Sequence, residues 1–332
     1  MNEIAKLDCR EREELFLATA HDIKLPEAMA EKDFWVCWTL GYLFHQCPWA
    51  KHIAFKGGTS LSKCFGLIER FSEDIDLILD WRVLGYSTSD PWAERSKTKQ
   101  DKFNKEMNVR TCDFLRNVFL PRLKEDFAQL LSEPFKLFIN DDEPQTVCFA
   151  YPRIFDDSAI VSVVRMEIGA LAAWTPTQTV TITSYAAERY PQAFKTTSTS
   201  VLTVMAERTF WEKVTILHKE AFRTNGRFPS RYSRHYYDLY CMDKSYIKER
   251  AYADLPLLER VVAFKARFYP ANAARYDLAR PGTIRLMPPE DCLPILAEDY
   301  EHMKNMIFGE APNFEEIMDT IRRMETEINA LA

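Results

Sequence analysis

Two stretches decide how the chain is read: Ala54-Phe55-Lys56-Gly57-Gly58-Thr59-Ser60-Leu61-Ser62-Lys63, and Arg70-Phe71-Ser72-Glu73-Asp74-Ile75-Asp76-Leu77-Ile78-Leu79. The first reads as a short strand at 52–55, halted by Gly57-Gly58 and followed by a helix over 59–69. The second reads as a strand over 75–79. Side chains alternate along a strand, so Asp74 and Asp76 share one face while Ile75, Leu77 and Leu79 share the other. Two neighbouring carboxylates repel by on the order of 4 kcal/mol at ~4 Å and an effective dielectric of 20. A divalent cation reverses the sign of that interaction, and oxygen-only ligands suit Mg²⁺ or Mn²⁺. Glycines let backbone approach a ligand, and the free N–H groups of a helix start attract phosphate. Gly57-Gly58 is not a Walker loop, because no Gly-Lys-Ser/Thr closes it, and it lacks dinucleotide-binding spacing. Alone, the glycines are a capped turn and the acids a solvated strand end. With Asp74 16 residues after Gly58, they describe one site, a phosphate cradle beside metal-holding carboxylates.

Working outward, the 332 residues amount to about two domains. At 47% hydrophobic and 28% charged, the composition is that of a globular chain and excludes a disordered or fibrous one. No apolar run approaches the ~20 residues of a membrane helix and no secretory signal opens the chain, so a cytoplasmic location is expected. The eight cysteines include no Cys-x-x-Cys pair and read as reduced, mostly buried thiols. The net charge of −6 makes general nucleic-acid binding unfavourable, so a polynucleotide needs a local basic patch.

Helices are expected at 10–20 and 27–46, the latter carrying Trp35, Trp38, Leu40 and Tyr42. A polar insertion or mobile surface segment is expected over 84–104, then a long amphipathic helix over 105–131. Strands follow at 135–139, 146–151, 160–170 and 178–184, with a hairpin connection at 140–144. From about 200 the pattern is helical. The element order therefore gives the fold class α+β, an α+β domain (residues 1–200) followed by a helical domain (201–332).

Gly57-Gly58 followed by Asp74-Ile75-Asp76 resembles the signature of the nucleotidyltransferase superfamily with the DNA-polymerase-β-like fold, which implies a mixed sheet flanked by helices. The longer strings over 56–62 and 70–77 resemble the AbiEii/AbiGii-type toxin family more narrowly. So do Glu31-Lys32-Asp33-Phe34-Trp35-Val36, Glu207-Arg208-Thr209-Phe210-Trp211-Glu212-Lys213 and Arg234-His235-Tyr236-Tyr237-Asp238-Leu239. The resemblance implies a metal- and NTP-dependent enzyme with Mg²⁺ or Mn²⁺ on Asp74, Asp76 and a third acid, for which Glu167 in Val163-Val164-Arg165-Met166-Glu167-Ile168 fits. Glu167 either completes the metal set or serves as base on the acceptor hydroxyl. It also implies triphosphate contacts from Gly57, Gly58, Thr59, Ser60, Lys63, Arg70 and Ser72. Lys213, a lysine in an apolar helix that must snorkel or meet an anion, becomes a triphosphate-directed cation outside the core. Asp238 becomes a further catalytic residue, against the alternative of an ion pair with Arg234. His235 reads as a structural hydrogen-bonder.

Between the last two motifs, Lys219, Arg223, Arg227, Arg231 and Arg234 against Glu220 leave +4, interleaved with Phe222, Phe228 and Tyr232. That composition suits backbone tracking and base stacking along an RNA. The family implies a bacterial or phage-linked toxin of an abortive-infection or toxin–antitoxin system, with tRNA as a candidate acceptor. Its partner would be an antitoxin, often a winged-helix DNA-binding protein. Two alternatives stay open: an antibiotic-type enzyme acting on a small molecule, and a non-catalytic nucleotide-binding regulator.

Overall fold

The computed structural model describes residues 1–72, 74–157, 160–223 and 229–332. Two units emerge, Met1–Cys64 with Ser72–Thr203, and Phe65–Phe71 with Val204–Ala332.

The first unit is built on a seven-stranded mixed sheet in the order β3-β4-β5-β2-β1-β7-β6. The strands are β1 (Ile53–Lys56), β2 (Asp74–Leu79), β3 (Lys136–Ile139), β4 (Thr146–Ala150), β5 (Val164–Gly169), β6 (Thr177–Thr183) and β7 (Ser198–Val204). β2 pairs antiparallel with β1 and parallel with β5, β1 also pairs parallel with β7, and β3-β4-β5 continue antiparallel. The expected mixed sheet flanked by helices is therefore present. The helix Glu27–His45 buries residues on every side, as a helix with no polar face must. Trp35 and Trp38 meet Phe149 of β4 and Trp38 meets Phe127, with ring centroids 4.8–5.8 Å apart.

Three expectations change. Residues 97–104 are not an insertion but the first turns of the helix Lys97–Phe114, whose start is capped by Ser96 accepting from the Lys99 N–H. Phe103 anchors that start, with Tyr86 packed edge-on and the Arg95 guanidinium 4.0 Å from its centroid. The helix continues through a π-helical segment, Leu115–Phe119, into Leu120–Leu130. Pro121 explains the irregularity, since it donates no N–H and crowds the preceding turn. The helix after the glycines is Gly57–Lys63 alone, and residues 65–71 leave it for the second unit. The stretch near 200 is not yet helical, because β-branched Ser198–Val204 forms β7 beside β1.

The second unit is helical, with Ala206–Ala221, Arg234–Asp243, Leu255–Phe268, Leu293–Met303 and Phe314–Asn329 as its longer helices. Phe210, Trp211, Val214 and Leu217 form core with Tyr236, Leu239 and Met242. Residues 65–71 join through an Arg70–Ile307 bridge, with Phe71 N–H donating to Met306 O at 2.7 Å and Phe308 N–H to Glu69 O at 2.7 Å.

Candidate active site

Register places the acids. In β2, Ile75 and Leu77 are buried while Asp74 and Asp76 are half-buried on the other face. β5 alternates likewise, with Val164, Met166 and Ile168 inward and Arg165 and Glu167 on the partly exposed face. Asp74 stands opposite Arg165 and Asp76 opposite Glu167. On the other side Asp76 faces Lys56 of β1, so Lys56, Asp76 and Glu167 form one row across three strands.

Gly57 locks the glycine turn onto that row. Its φ is +81°, and a Cβ there would lie 1.9 Å from Asp76 Oδ2. Only glycine permits both the conformation and the approach of the carboxylate. The neighbouring hydroxyls are used internally. Thr59 Oγ1 donates to the Asp74 carbonyl at 2.5 Å and lies 2.9 Å from Ser72 Oγ, tying the helix to the start of β2. Ser60 Oγ donates to Gly57 O at 2.9 Å, and both side chains are buried. A phosphate at this turn would therefore meet backbone N–H groups and Gly58 rather than these hydroxyls.

Lys63 is placed elsewhere. It is ion-paired with buried Asp33, donates to Thr183 O at 3.3 Å and lies 3.7 Å from the Tyr185 ring centroid. Burial alone would lower the ammonium's pKa, but Asp33 reverses that and raises it. Asp33 also accepts from the Tyr185 N–H at 2.7 Å. Its neighbours are buried too: Glu31 accepts from Ile154 and Phe155 N–H at 2.9 and 3.1 Å, and Lys32 donates to Val161 O. The Glu31-Lys32-Asp33 run thus fixes the segment leading into β5 and the end of the Gly57–Lys63 helix. Sequence reading assigned these residues no such role, and their signal was three charges inside an otherwise apolar helix.

One guanidinium lies within the acidic face. Arg165 Nε is 3.3 Å from Asp74 Oδ1 and Nη2 is 3.4 Å from Glu167 Oε1. Its two nitrogens donate to Glu143 at 2.8 and 3.0 Å, and this hydrogen-bonded pairing raises the Arg165 pKa. Glu143 was missed from sequence, where it reads only as an acidic turn residue. Among the described residues no three His, Cys, Asp or Glu side chains converge on one point to hold a metal. The donor set nevertheless fits a hard divalent cation. Its members are all carboxylates, sit at adjacent register positions on one face, and already attract a cationic group.

In the second unit Arg70, Lys213 and Asp238 come together. Arg70 Nε and Nη2 donate to the two Asp238 oxygens at 2.7 and 2.8 Å, and Lys213 Nζ lies 2.7 Å from Oδ2. Lys213 is 7% exposed and Asp238 0%, so the expectation of a lysine outside the core is corrected: it meets an anion instead of snorkelling. Asp238 pairs with these two cations and not with Arg234 as the blander reading had it. Burial would raise the Asp238 carboxyl, but Arg70 and Lys213 outweigh it and hold it well below the usual range. Burial lowers the Lys213 ammonium against the pull of Asp238. His235 Nδ1 is buried with no hydrogen-bond partner among the described residues, so that nitrogen does not act as the expected structural hydrogen-bonder. Burial and the charges of Lys213 and Arg234 drive its pKa well down.

In the 219–234 segment, buried Glu220 takes Arg223, approaches Lys219 at 3.9 Å and accepts from Tyr232 Oη at 2.9 Å. Arg227 and Phe228 lie outside the described residues. The basic patch is thus partly neutralised from beneath, and the Tyr232 ring packs on His235 at 4.8 Å.

Residues 41–320 match the family model described as Nucleotidyl transferase AbiEii toxin, Type IV TA system. The chain belongs to this family. As an AbiEii-family nucleotidyltransferase toxin it has a nucleoside triphosphate as substrate and an antitoxin as partner. The matched span takes in both units and the glycine and carboxylate motifs, and begins after Glu31–Lys32–Asp33. No curated protein matches the chain. Similar solved structures include MenT4, a nucleotidyltransferase toxin from Mycobacterium tuberculosis H37Rv, at 15% identity, TM-score 0.47, covering 98% of each chain. JHP933 from Helicobacter pylori is similar at 14% identity and TM-score 0.35, covering 91% of this chain and 97% of that one. Among the described residues no helix is long and apolar enough to cross a membrane.

Proposed function

We propose that this AbiEii-family chain transfers a nucleoside monophosphate from a nucleoside triphosphate to a hydroxyl of an RNA, tRNA being the first candidate, with pyrophosphate as leaving group. The observation that carries the reading is the register of Asp76 with Glu167 beside Asp74, against a glycine that admits the Asp76 carboxylate where a Cβ would stand. Asp74, Asp76 and Glu167 are assigned to hold Mg²⁺ or Mn²⁺. When bound, that cation neutralises phosphate charge and acidifies the attacking hydroxyl. Gly57 and Gly58 let the backbone approach the β- and γ-phosphates at the start of the helix. Thr59 and Ser72 hold the turn against β2, Ser60 closes the turn on Gly57 O, and Lys63 holds the helix end through Asp33. Lys213 is assigned to offset triphosphate charge, with Asp238 and Arg70 fixing its ammonium. The cluster of two cations and one anion leaves one net positive charge, which favours an anionic ligand.

The test incubates the protein with each labelled nucleoside triphosphate, Mg²⁺ and total RNA, beside Asp74→Ala and Asp76→Ala. Label entering RNA with matching pyrophosphate release, and lost in both variants, is the expected result. Label entering only a small hydroxylated acceptor moves the chain to small-molecule modification, and no release with any triphosphate overturns the reading.

A further inference from the structure

Arg165 occupies the middle of the acidic face. It faces Asp74 across the strand pair and shares its own strand face with Glu167. The two contacts to those acids, at 3.3 and 3.4 Å, are its longer ones. The shorter pair, 2.8 and 3.0 Å, is a bidentate grip on Glu143. Glu143 sits in the turn between β3 and β4, where its N–H donates to Asn140 O at 3.1 Å and its carbonyl accepts from Thr146 at 2.9 Å. The turn therefore fixes the base of the carboxylate that holds the guanidinium.

A guanidinium presents five donors in a planar fork, so it can serve several acceptors at once. Here it satisfies an outer acid tightly and two inner acids loosely. Repulsion among Asp74, Asp76 and Glu167 is relieved by Arg165, and at Asp76 also by Lys56, which stands opposite it on β1. With a divalent cation on the inner acids, the loose contacts are the ones lost, and the guanidinium retains Glu143.

We propose that Arg165 is the resident counter-charge of the carboxylate face, and that Glu143 is a positioning residue that sets metal affinity by holding Arg165 when a divalent cation takes Asp74 and Glu167. This rests on the assignment of Asp74, Asp76 and Glu167 as the metal-holding set. Three consequences have definite signs. Removing Arg165 removes the competitor, so metal binds more tightly. Removing the Glu143 charge turns the guanidinium toward Asp74 and Glu167, so metal binds more weakly. Glu143 acts through Arg165, so its removal has little effect once Arg165 is gone.

The experiment titrates the full chain with Mn²⁺, without nucleotide, reading free Mn²⁺ by electron paramagnetic resonance and the metal-induced rise in Tm. Arg165→Met, Glu143→Gln, the double variant and Asp74→Ala are compared with wild type. Expected are at least threefold tighter binding in Arg165→Met, at least threefold weaker in Glu143→Gln, and a double variant that follows Arg165→Met. Glu143 is 44% exposed, so Glu143→Gln keeps the inference testable even where Arg165→Met folds poorly. Unchanged or weaker binding in Arg165→Met overturns the inference. So does unchanged binding in Glu143→Gln, or an equal loss with Arg165 present and absent, which is what a remote negative charge would give. Wild type that binds no Mn²⁺, or Asp74→Ala that binds normally, overturns instead the metal assignment beneath it.

Discussion

Gly57 meets two demands at once, a φ of +81° and an Asp76 oxygen 1.9 Å from where a Cβ would stand. Gly57→Ala is expected to cost roughly 1–2 kcal/mol for the backbone alone, and also to push Asp76 off the Glu167 row. Nucleotide transfer should fall by at least ~10²-fold, the scale of losing one transition-state contact. Gly66 is the control: its φ is +60° but nothing lies within 4 Å of its Cβ position. Gly66→Ala should show a similar fall in Tm with transfer retained, and equal activity losses in both would remove the Gly57–Asp76 contact as the cause. At Arg70, Lys213 and Asp238 the charge count makes a second prediction. Lys213→Ala leaves a neutral Arg70–Asp238 pair and should cost roughly 1–3 kcal/mol of one charged hydrogen bond. Asp238→Ala leaves two buried cations without an anion and should cost about 3–5 kcal/mol. Urea melts of both variants check the order, and Lys213→Ala as the worse variant would contradict it.

Elements here are held by buried charges as well as by apolar packing. In the helix Glu27–His45, Glu31 caps the segment at Ile154 and Phe155, and burial raises its pKa from 4.5 to about 7. The folded chain therefore holds a proton that the unfolded chain releases between those values. The Glu31 contribution to stability is full below about 4.5 and is lost as pH rises to about 7. Glu31→Gln, unable to ionise, should gain stability relative to wild type on going from pH 5 to pH 8, by at most on the order of 3 kcal/mol. Denaturant melts at the two pH values measure this, and a pH-independent difference would show that Glu31 does not titrate there. The helix itself was legible, because Trp35, Trp38, Leu40 and Tyr42 mark it as core; the work of Glu31, Lys32 and Asp33 was not, because their partners at 154–155, 161 and 63 are remote in sequence. The same limit hid Glu143, which acquires meaning only when β4 brings its turn to Arg165. The shared face of Asp74 and Asp76 was legible because strand alternation is local, whereas Glu167 was reached through the family resemblance, and parallel pairing sets it opposite Asp76. The segment 84–104 was misread because its polarity is real while its helix start depends on one buried ring, Phe103.

For the whole molecule, charge constrains how an RNA acceptor would be held. A chain at −6 repels polynucleotide at long range, so RNA must be held by a concentrated basic surface. The segment 219–234 has the sequence for it, but Glu220 already engages Arg223 and lies near Lys219, while Arg231 is exposed. Arg231 is held by its backbone N–H, which donates to Asp299, and by Nη2 at 3.1 Å from Met306 Sδ. If RNA runs here, log Kd against log salt carries a slope of about 0.7 per phosphate contacted on a single strand. Lys219→Gln with Arg231→Gln should flatten that slope by up to about 1.4 and weaken RNA binding, because each lost cation releases one fewer counterion. Triphosphate binding should not change, since neither residue belongs to the glycine turn or the carboxylate row. Binding of total tRNA across a salt series, for wild type and the double variant, reads the slope directly. Parallel lines would take the RNA track off this segment, and with no salt dependence in wild type either, the acceptor is a small molecule.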